Sequence, residues 1–250
     1  MYLSFSGGKD STASAIILHE MGIHTTVIYS HFYFDKSRNI PAILPEHDNF
    51  IHNVIFPKLK EWGCEIIEVE PDTDYITEFM KIKKRGKHIG DVIGFPLPVR
   101  SSCWVNSKMK VKAIKQAEEI TENDITYIGI AYDETERYNR LCIGNKKSIL
   151  FETKTTEKMA MELCNKYNLL SPIYKNQQRD GCWFCNQMSI ASSAYIKNNY
   201  PDLVEELIKL EKFCKYSFAR NSQSVTDFYS REYKKRELYG QLTIEGYTNV

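Results

Sequence analysis

The feature that most constrains this chain is a glycine-rich turn between an apolar strand and an amphipathic helix. The apolar run "MYLSF" stops at Ser6, and the rest of the loop "SFSGGKDST" follows at once. Beyond it, Ala13, Ile16 and Ile17 recur at helical spacing as far as Gly22, where we predict that the helix ends. A strand that turns into a helix through two glycines belongs at the carboxyl edge of an α/β sheet, where such folds bind their ligands.

The rest of the chain continues the alternation of strands and helices. Runs rich in β-branched and aromatic residues predict three further strands, in "TTVIYSHF", "CEIIEVEP" and "ITYIGIAYDE". Helical spacing covers residues 74–84, 105–118 and 154–167 and a segment that starts at Pro201. This alternation indicates a parallel sheet covered on both faces. We predict a doubly wound, Rossmann-like α/β domain over residues 1–170, and a cysteine-bearing loop with a helical C-terminal extension over residues 171–250.

Composition and charge exclude several classes of protein. With a formal net charge of +1 and a pI of about 7.6, the chain has no overall positive field that would favour nucleic acid. No apolar run approaches the roughly 18 residues that a membrane span needs. The glycine loop begins too early to leave room for a secretory leader, so we expect a cytoplasmic protein without a membrane partner. In a reducing compartment, the seven cysteines are thiols or metal ligands rather than disulfides.

The chemistry of the glycine loop is that of a phosphate cradle. Gly7 and Gly8 permit backbone angles that bring their N–H groups together around an anion. The start of the helix adds unpaired N–H groups and a partial positive charge. Ser6 and Ser11 add hydroxyl donors, and Lys9 adds a full charge.

Two familiar phosphate-binding patterns do not fit this loop. A Walker A motif needs a glycine five positions before Gly8, where Leu3 stands. The loop does not match the dinucleotide pattern G-x-G-x-x-G either. The alternative to a cradle is a tight strand-to-helix turn, capped by Ser6, that binds nothing.

A second group of residues has the spacing of a metal site. "GCWFC" places Cys182 and Cys185 on one turn, and "RSSCW" adds Cys103. Three thiolates suit zinc or an iron–sulfur cluster, with a further ligand or with one position left open. Cys214 is a candidate for the fourth ligand. The alternatives are ordinary buried thiols and a redox dithiol.

The motifs resemble those of a known superfamily. The loop resembles the pyrophosphate-binding loop of the N-type ATP pyrophosphatases, or PP-loop superfamily, whose pattern is Ser-Gly-Gly-x-Asp-Ser. From the loop through "RSSC", "GIAYDETER" and "LLSPIY" to "GCWFC", the order of motifs over most of residues 1–215 is similar to the phosphoadenosine phosphosulfate reductase-like branch. The resemblance implies that ATP is cleaved between its α- and β-phosphates and that AMP passes to a substrate oxygen. One departure is Asn186, where relatives often have proline.

The resemblance also implies roles for particular residues. The residues that would hold the pyrophosphate are Ser6, Gly7, Gly8, Asp10 and Ser11. Lys9 would help to neutralise it, and Asp10 would also act through Mg²⁺. Several relatives carry a [4Fe–4S] cluster. Here the cluster ligands would be Cys103, Cys182 and Cys185, with Zn²⁺ as the alternative occupant.

Charged residues after the strand "ITYIGIAYDE" are further candidates. Glu134 and Arg137 follow that strand and are expected at the same sheet edge as the loop. Arg137 can clamp a phosphate with two hydrogen bonds, and Glu134 can orient it or act as a base. Arg100, next to the cysteine region, is a similar phosphate candidate. The alternative is a solvated loop with ordinary ion pairs.

Three functions fit these motifs. The first is ATP-dependent adenylyl transfer that activates a substrate oxygen for replacement by sulfur; its catalytic candidates are Lys9, Asp10, Glu134 and Arg137. The second is a sulfonucleotide reductase, but such reductases use a cysteine near the C-terminus, and the tail after Cys214 has none. The third is a non-catalytic nucleotide-binding module with structural zinc.

The sequence leaves the partners of the protein open. The acceptor is a nucleic acid or a small molecule, and the basic run "KIKKRGKH" is a candidate contact for a nucleic-acid backbone. The sulfur donor is not identified by any motif. The oligomeric state is also left open, and a homodimer is one candidate.

Overall fold

The computed structural model describes residues 1–86, 88–97, 103–115, 117, 121 and 123–231. Its strands are β1 (Tyr2–Phe5), β2 (Thr26–Ser30), β3 (Tyr33–Asp35), β4 (Ile40–Pro41), β5 (Glu65–Val69), β6 (Thr126–Ile128) and β7 (Lys146–Lys147). Its α-helices are α1 (Lys9–Glu20), α2 (Pro45–Phe50), α3 (Phe56–Glu61), α4 (Tyr75–Met80), α5 (Lys112–Lys115), α6 (Thr135–Leu141), α7 (Ile149–Glu152), α8 (Glu157–Lys166), α9 (Ile190–Asn199), α10 (Pro201–Glu211) and α11 (Val225–Tyr229). In this described part of the chain, no helix combines the length and the apolar character needed to cross a membrane.

Five strands form one parallel sheet in the order β5-β2-β1-β6-β7, flanked by helices. In the central strand, Leu3 lies between Val27 of β2 and Tyr127 of β6, and all three residues are buried. Strands buried in this way need apolar residues on both faces, which explains the nearly continuous apolar runs in the sequence. The predicted doubly wound, Rossmann-like α/β fold is confirmed.

The strand order creates a switch point beside β1. From β1 the chain first builds the sheet outwards through β2 and β5, and it then returns to add β6 and β7 on the other side. The loops that follow β1 and β6 therefore leave the same edge of the sheet in opposite directions. Open α/β sheets bind ligands in the crevice between two such loops. The glycine loop is one of the two.

Some elements differ in extent from the sequence prediction. Helix α4 ends at Met80 rather than at residue 84, because Lys81 takes extended backbone angles and Ile82 then pairs with Val92. Helix α8 starts after Lys154, whose φ of 56° excludes it from a helix. Strands β3 and β4 form an antiparallel hairpin where the sequence indicated only a loop. A proline in β4 hid this short edge strand, since proline cannot donate to a strand ladder.

Two further helical segments are π-helical. They cover Ile51–Ile55, which leads into α3, and Asn106–Val111, which leads into α5. The second lies inside the predicted helix over residues 105–118. An extra residue per turn shifts the side chains that follow it, and such segments are frequent at functional sites.

Buried side chains form two hydrophobic cores. The first lies between the parallel sheet and its helices and includes Leu3 and Ile16. The second surrounds Trp183 and packs the β3–β4 hairpin and α4 against the C-terminal helices. Its buried members come from residues 32–44, 75–109 and 173–229. The cysteine segment thus packs directly on residues from the first half of the chain.

Candidate functional site

The glycine loop is a compact turn that its own hydroxyl groups hold in shape. Gly7 has a φ of +79°, a conformation that side chains other than glycine rarely adopt. The amide of Ser6 donates to the Ser11 hydroxyl at 3.2 Å, and the amide of Gly8 donates to the Ser6 hydroxyl at 3.3 Å. The Ser11 hydroxyl in turn donates to the Gly8 carbonyl at 3.1 Å. Both serines therefore hold the loop in shape.

The loop after β6 presses against the first turn of α1. A Cβ on Gly129 would lie 2.7 Å from the amide nitrogen of Ser11 and 3.0 Å from the carbonyl carbon of Asp10. Only glycine permits so close an approach to backbone. Gly129 thus fixes the start of α1 across the switch point, a role that the sequence did not reveal.

Lys9 is buried in the site as a charged group. It is only 7% exposed, and its ammonium group lies 2.9 Å from the Asp10 carboxylate and 3.0 Å from that of Glu157. Burial alone lowers the pKa of Lys9, but the bonds to Asp10 and Glu157 outweigh it and raise the pKa above its ordinary value. The side chain therefore stays positively charged at neutral pH.

The carboxylates around Lys9 act on one another. Burial raises the pKa of Asp10, Lys9 opposes this rise, and the charges of Glu157 and Glu134 add to it. Glu134 thus lies close enough to the glycine loop for its charge to act on Asp10. Its carboxylate also accepts a hydrogen bond from Arg137 at 2.8 Å.

Of the two arginines proposed to bind phosphate, the structure describes only Arg137. The Arg137 side chain is 45% exposed and is bound to Glu134, which is the ordinary ion pair that the sequence left as an alternative. No contact in the described chain joins Arg137 to the glycine loop itself. Arg100 lies outside the described residues.

Residues just before the cysteine pair cover the loop. The amide of Lys9 donates to the Tyr174 hydroxyl at 2.8 Å. The Ser6 hydroxyl donates to the Asp180 carboxylate at 3.2 Å, and a Cβ on Gly8 would lie 2.2 Å from the same carboxylate. A phenol and a carboxylate thus occupy donors that were predicted to be open to an anion. A phosphate on this loop has to displace both groups.

An Asp180→Asn substitution is therefore expected to tighten the binding of pyrophosphate by about tenfold in the absence of divalent cations. Two like charges about 4 Å apart repel by about 4 kcal/mol at a protein surface, and partial screening leaves about one factor of ten. Calorimetric titration with pyrophosphate in EDTA measures the change. Asp202→Asn, on the first turn of α10, is the control. An unchanged affinity would place the carboxylate outside the path of the anion.

His47 is a site residue that sequence reasoning missed. It is 1% exposed and lies against the loop, with Cε1 3.6 Å from the position of a Cβ on Gly7. Its Nδ1 is 2.8 Å from the Ser171 hydroxyl, whereas Nε2 is buried without a hydrogen-bond partner among the described residues. Burial lowers the pKa of His47, so the ring is neutral at pH 7. When Ser171 donates to Nδ1, Nε2 carries the proton and is a spare donor beside the loop.

The three cysteines proposed as metal ligands are close enough for their thiols to act on one another. The amide of Cys185 donates to the carbonyl of Cys182 at 3.1 Å, which closes the Cys-x-x-Cys turn. Burial raises the pKa of Cys182 to about 12; Lys110 opposes the rise, and the thiols of Cys185 and Cys103 add to it. Thiols that oppose each other's ionisation need a cation before they can all act as thiolates.

A buried hydroxyl without a partner also faces the cysteines. Tyr75 is fully buried, and its hydroxyl has no hydrogen-bond partner in the described chain. Its pKa is raised well above the ordinary value, first by burial and also by the charges of neighbouring groups that include Cys182, Cys103 and Cys214. The hydroxyl is thus available to donate to a sulfur atom in this pocket. Cys214, the candidate fourth ligand, belongs to the same core.

Zinc and an iron–sulfur cluster place different requirements on the spacing of the sulfur atoms. Tetrahedral zinc with Zn–S bonds of about 2.3 Å holds sulfurs about 3.8 Å apart. Among the described residues, the group whose three ligand atoms lie mutually within 4.8 Å is His31, His52 and Glu68, not the cysteines. An iron–sulfur cluster binds its cysteines through different irons and so accepts a wider spacing. At least one pair of the three cysteine sulfurs is therefore more than 4.8 Å apart, and zinc and an iron–sulfur cluster both stay candidates for this region.

Asn186, directly after the second cysteine, joins two distant segments of the chain. Its buried side-chain amide donates to the carbonyls of Pro96 at 2.7 Å and of Phe218 at 2.9 Å. We expect Asn186→Ala to lower the free energy of unfolding by about 1–3 kcal/mol, because it leaves buried carbonyls unpaired. Urea unfolding measures the loss. The exposed neighbour Gln187→Ala should change stability by less than about 0.5 kcal/mol, and equal losses would contradict the assignment.

No family model matches this chain, and no curated protein matches it. Its functional assignment therefore depends on the motifs and on the geometry of the two sites described above.

Proposed function

We propose that this protein is an ATP-dependent adenylyl transferase that converts ATP to AMP and pyrophosphate and activates a substrate oxygen for replacement by sulfur. The observation that carries the proposal is a direct contact between the glycine loop and the segment that leads into the Cys-x-x-Cys motif. The Ser6 hydroxyl of the glycine loop bonds to Asp180, only two residues before Cys182. A nucleotide on the loop and a sulfur atom at the cysteines would then be neighbours.

The glycine loop supports the nucleotide half of the proposal. It lies at the switch point of the sheet, beside a buried, charged Lys9 and the start of α1. Once Tyr174 and Asp180 move aside, the amide of Lys9 and the hydroxyl of Ser6 are donors for pyrophosphate. Lys9 would stabilise the negative charge that develops on pyrophosphate as it leaves. A Mg²⁺ ion, when bound, would add a second positive charge, with the Asp10 carboxylate as its protein ligand.

The cysteine region supports the sulfur half. Cys103, Cys182 and Cys185 would hold a [4Fe–4S] cluster, whose fourth iron supplies a position for sulfur when the cluster is bound. The Tyr75 hydroxyl would donate to a sulfur atom there, and burial would keep water away. A sulfur nucleophile attacking the activated carbon would release AMP. The acceptor class stays open; exposed Lys84 and Arg85 lie in the basic run proposed for nucleic acid.

The experiment that tests this function is an analysis of products from ATP. Protein purified without oxygen is incubated with Mg²⁺, radiolabelled ATP, sulfide as the sulfur nucleophile and either total tRNA or DNA, and the nucleotides are separated by chromatography. AMP with an equal amount of pyrophosphate is the expected result. ADP with phosphate would contradict cleavage between the α- and β-phosphates. Iron and acid-labile sulfide are measured on the same sample, and stoichiometric zinc in their place would leave adenylation without sulfur transfer.

A further inference from the structure

A cluster of metal-type ligands lies at the carboxyl ends of β2 and β5, apart from the cysteines. His31 follows β2 directly, and Glu68 of β5 pairs with Tyr29 of β2. His52 approaches from the π-helical segment after α2. Nδ1 of His31 is 2.9 Å from Oε1 of Glu68, and Nε2 of His52 is 3.2 Å from the same oxygen. The three ligand atoms all lie within 4.8 Å of one another.

These distances are those of ligands on one ion. Imidazole and carboxylate ligands bind first-row metals at about 2.0–2.2 Å, so neighbouring ligand atoms lie about 3.0 Å apart in octahedral geometry and about 3.4 Å apart in tetrahedral geometry. The measured separations of 2.9 and 3.2 Å need only small rotations of the side chains to match. In this structure, both imidazole nitrogens contact the same oxygen, Oε1 of Glu68. A cation bound between the three atoms would replace these two contacts with metal–ligand bonds.

The surrounding groups orient both imidazoles. Nδ1 of His52 donates to the backbone carbonyl of Asp48 at 2.8 Å, which leaves the Nε2 lone pair facing Glu68. Nε2 of His31 lies 3.3 Å from the Asp48 carboxylate. Both of these atoms are buried, and neither forms a well-aligned hydrogen bond in the described chain. Metal-bound histidines characteristically donate their second N–H to a carbonyl or carboxylate. His52 does so here, and the Asp48 carboxylate lies close enough to Nε2 of His31 to become the same kind of partner.

Charge favours a cation in the cluster. Two carboxylates, Asp48 and Glu68, face two imidazoles, and His31 is only 9% exposed. The competing occupant is a proton. Burial lowers the pKa of His31, but Asp48 and Glu68 outweigh it and raise the pKa to about 9, so a metal ion has to displace that proton.

We propose that His31, His52 and Glu68 bind a divalent first-row transition metal of the zinc type, with Asp48 as the group that positions His31. Two imidazoles and one carboxylate select such a metal over Mg²⁺ or Ca²⁺, which prefer all-oxygen sites. Three protein ligands leave at least one position for water or a substrate group. The site does not depend on the proposed adenylyl transfer, because it uses none of the residues assigned to that reaction.

The test is a titration of chelator-treated protein with Co²⁺, followed by its visible absorption. We expect one equivalent to produce d–d bands without a thiolate charge-transfer band, and the same equivalent to bind Zn²⁺ in calorimetry. His52→Ala and the isosteric Glu68→Gln should weaken this binding by about 100-fold or more, and Asp48→Asn by about 10–100-fold. His24→Ala, an exposed histidine, is the matched control and should bind normally.

A cysteine variant shows whether Co²⁺ binds at the histidine–glutamate cluster or at the cysteines. In Cys182→Ala the nitrogen- and oxygen-bound equivalent should persist with the same spectrum. Circular dichroism confirms that each variant is folded, and Glu68→Gln serves where His52→Ala fails to fold. The proposal is overturned if the equivalent persists in Glu68→Gln, if it disappears in Cys182→Ala, or if wild-type protein binds no Co²⁺ outside its cysteines.

Discussion

A Gly129→Ala variant is expected to bind pyrophosphate and ATP about 100-fold more weakly while the sheet stays folded. The added methyl group would lie 2.7 Å from the amide nitrogen of Ser11 and 3.0 Å from the carbonyl carbon of Asp10. Both are backbone atoms, so the first turn of α1 has to move. A displacement of about 1 Å in a binding group costs about 100-fold. Calorimetry with pyrophosphate measures the loss of affinity.

The matched control is Gly181→Ala. A Cβ on Gly181 has no atom within 4 Å, and its φ is not in the left-handed region. The control should bind pyrophosphate normally. Urea unfolding of Gly129→Ala should show a loss of about 1–3 kcal/mol, as for other overpacked sites. Wild-type affinity in Gly129→Ala would contradict the close contact between the loops after β1 and β6.

A Lys9→Ala variant is expected to form AMP from ATP about 100–1000-fold more slowly. Lys9 supplies the buried positive charge of the site, and its ammonium group lies 2.9 Å from Asp10 and 3.0 Å from Glu157. Without it, the carboxylates of Asp10 and Glu157 face the polyphosphate without the lysine charge that balances them. Removing one preorganised electrostatic contact from a transition state typically costs two to three orders of magnitude in rate, or about 3–4 kcal/mol.

The control for this variant is Lys158→Ala. The Lys158 side chain is 88% exposed, and its ion pair with Glu162 is long, at 3.9 Å. Rates of AMP formation and affinities for pyrophosphate are measured for both variants. Lys158→Ala should match the wild type in both. A Lys9→Ala variant with normal rate and affinity would show that Lys9 only balances Asp10 and Glu157 and takes no part in nucleotide chemistry.

The fold was predictable because its signals are local. Each central strand is a short run of apolar residues, and the glycine loop marks the boundary between β1 and α1. For the same reason, the residues from Ser6 to Ser11 were enough to predict a turn between a strand and a helix. The short β3–β4 hairpin and the π-helical segments were missed, because their stability depends on packing in the two hydrophobic cores rather than on local propensity.

The contacts that complete the site join residues distant in sequence, and so were not predictable. Tyr174 and Asp180 reach the glycine loop across more than 160 residues of chain. His47 belongs to no motif in the sequence, and only the fold places it against Gly7. The ligands His31, His52 and Glu68 come from three separate elements, and no spacing motif connects them. Only Cys182 and Cys185 carried a local metal-site signal.

Competition calorimetry tests most directly whether the glycine loop holds the pyrophosphate end of ATP. Protein is titrated with pyrophosphate, with ATP, and with ATP in the presence of saturating pyrophosphate. We predict that each ligand binds alone, that pyrophosphate blocks ATP, and that Lys9→Ala and Gly129→Ala lose both. ATP binding that is unaffected by pyrophosphate and by both substitutions would contradict the claim.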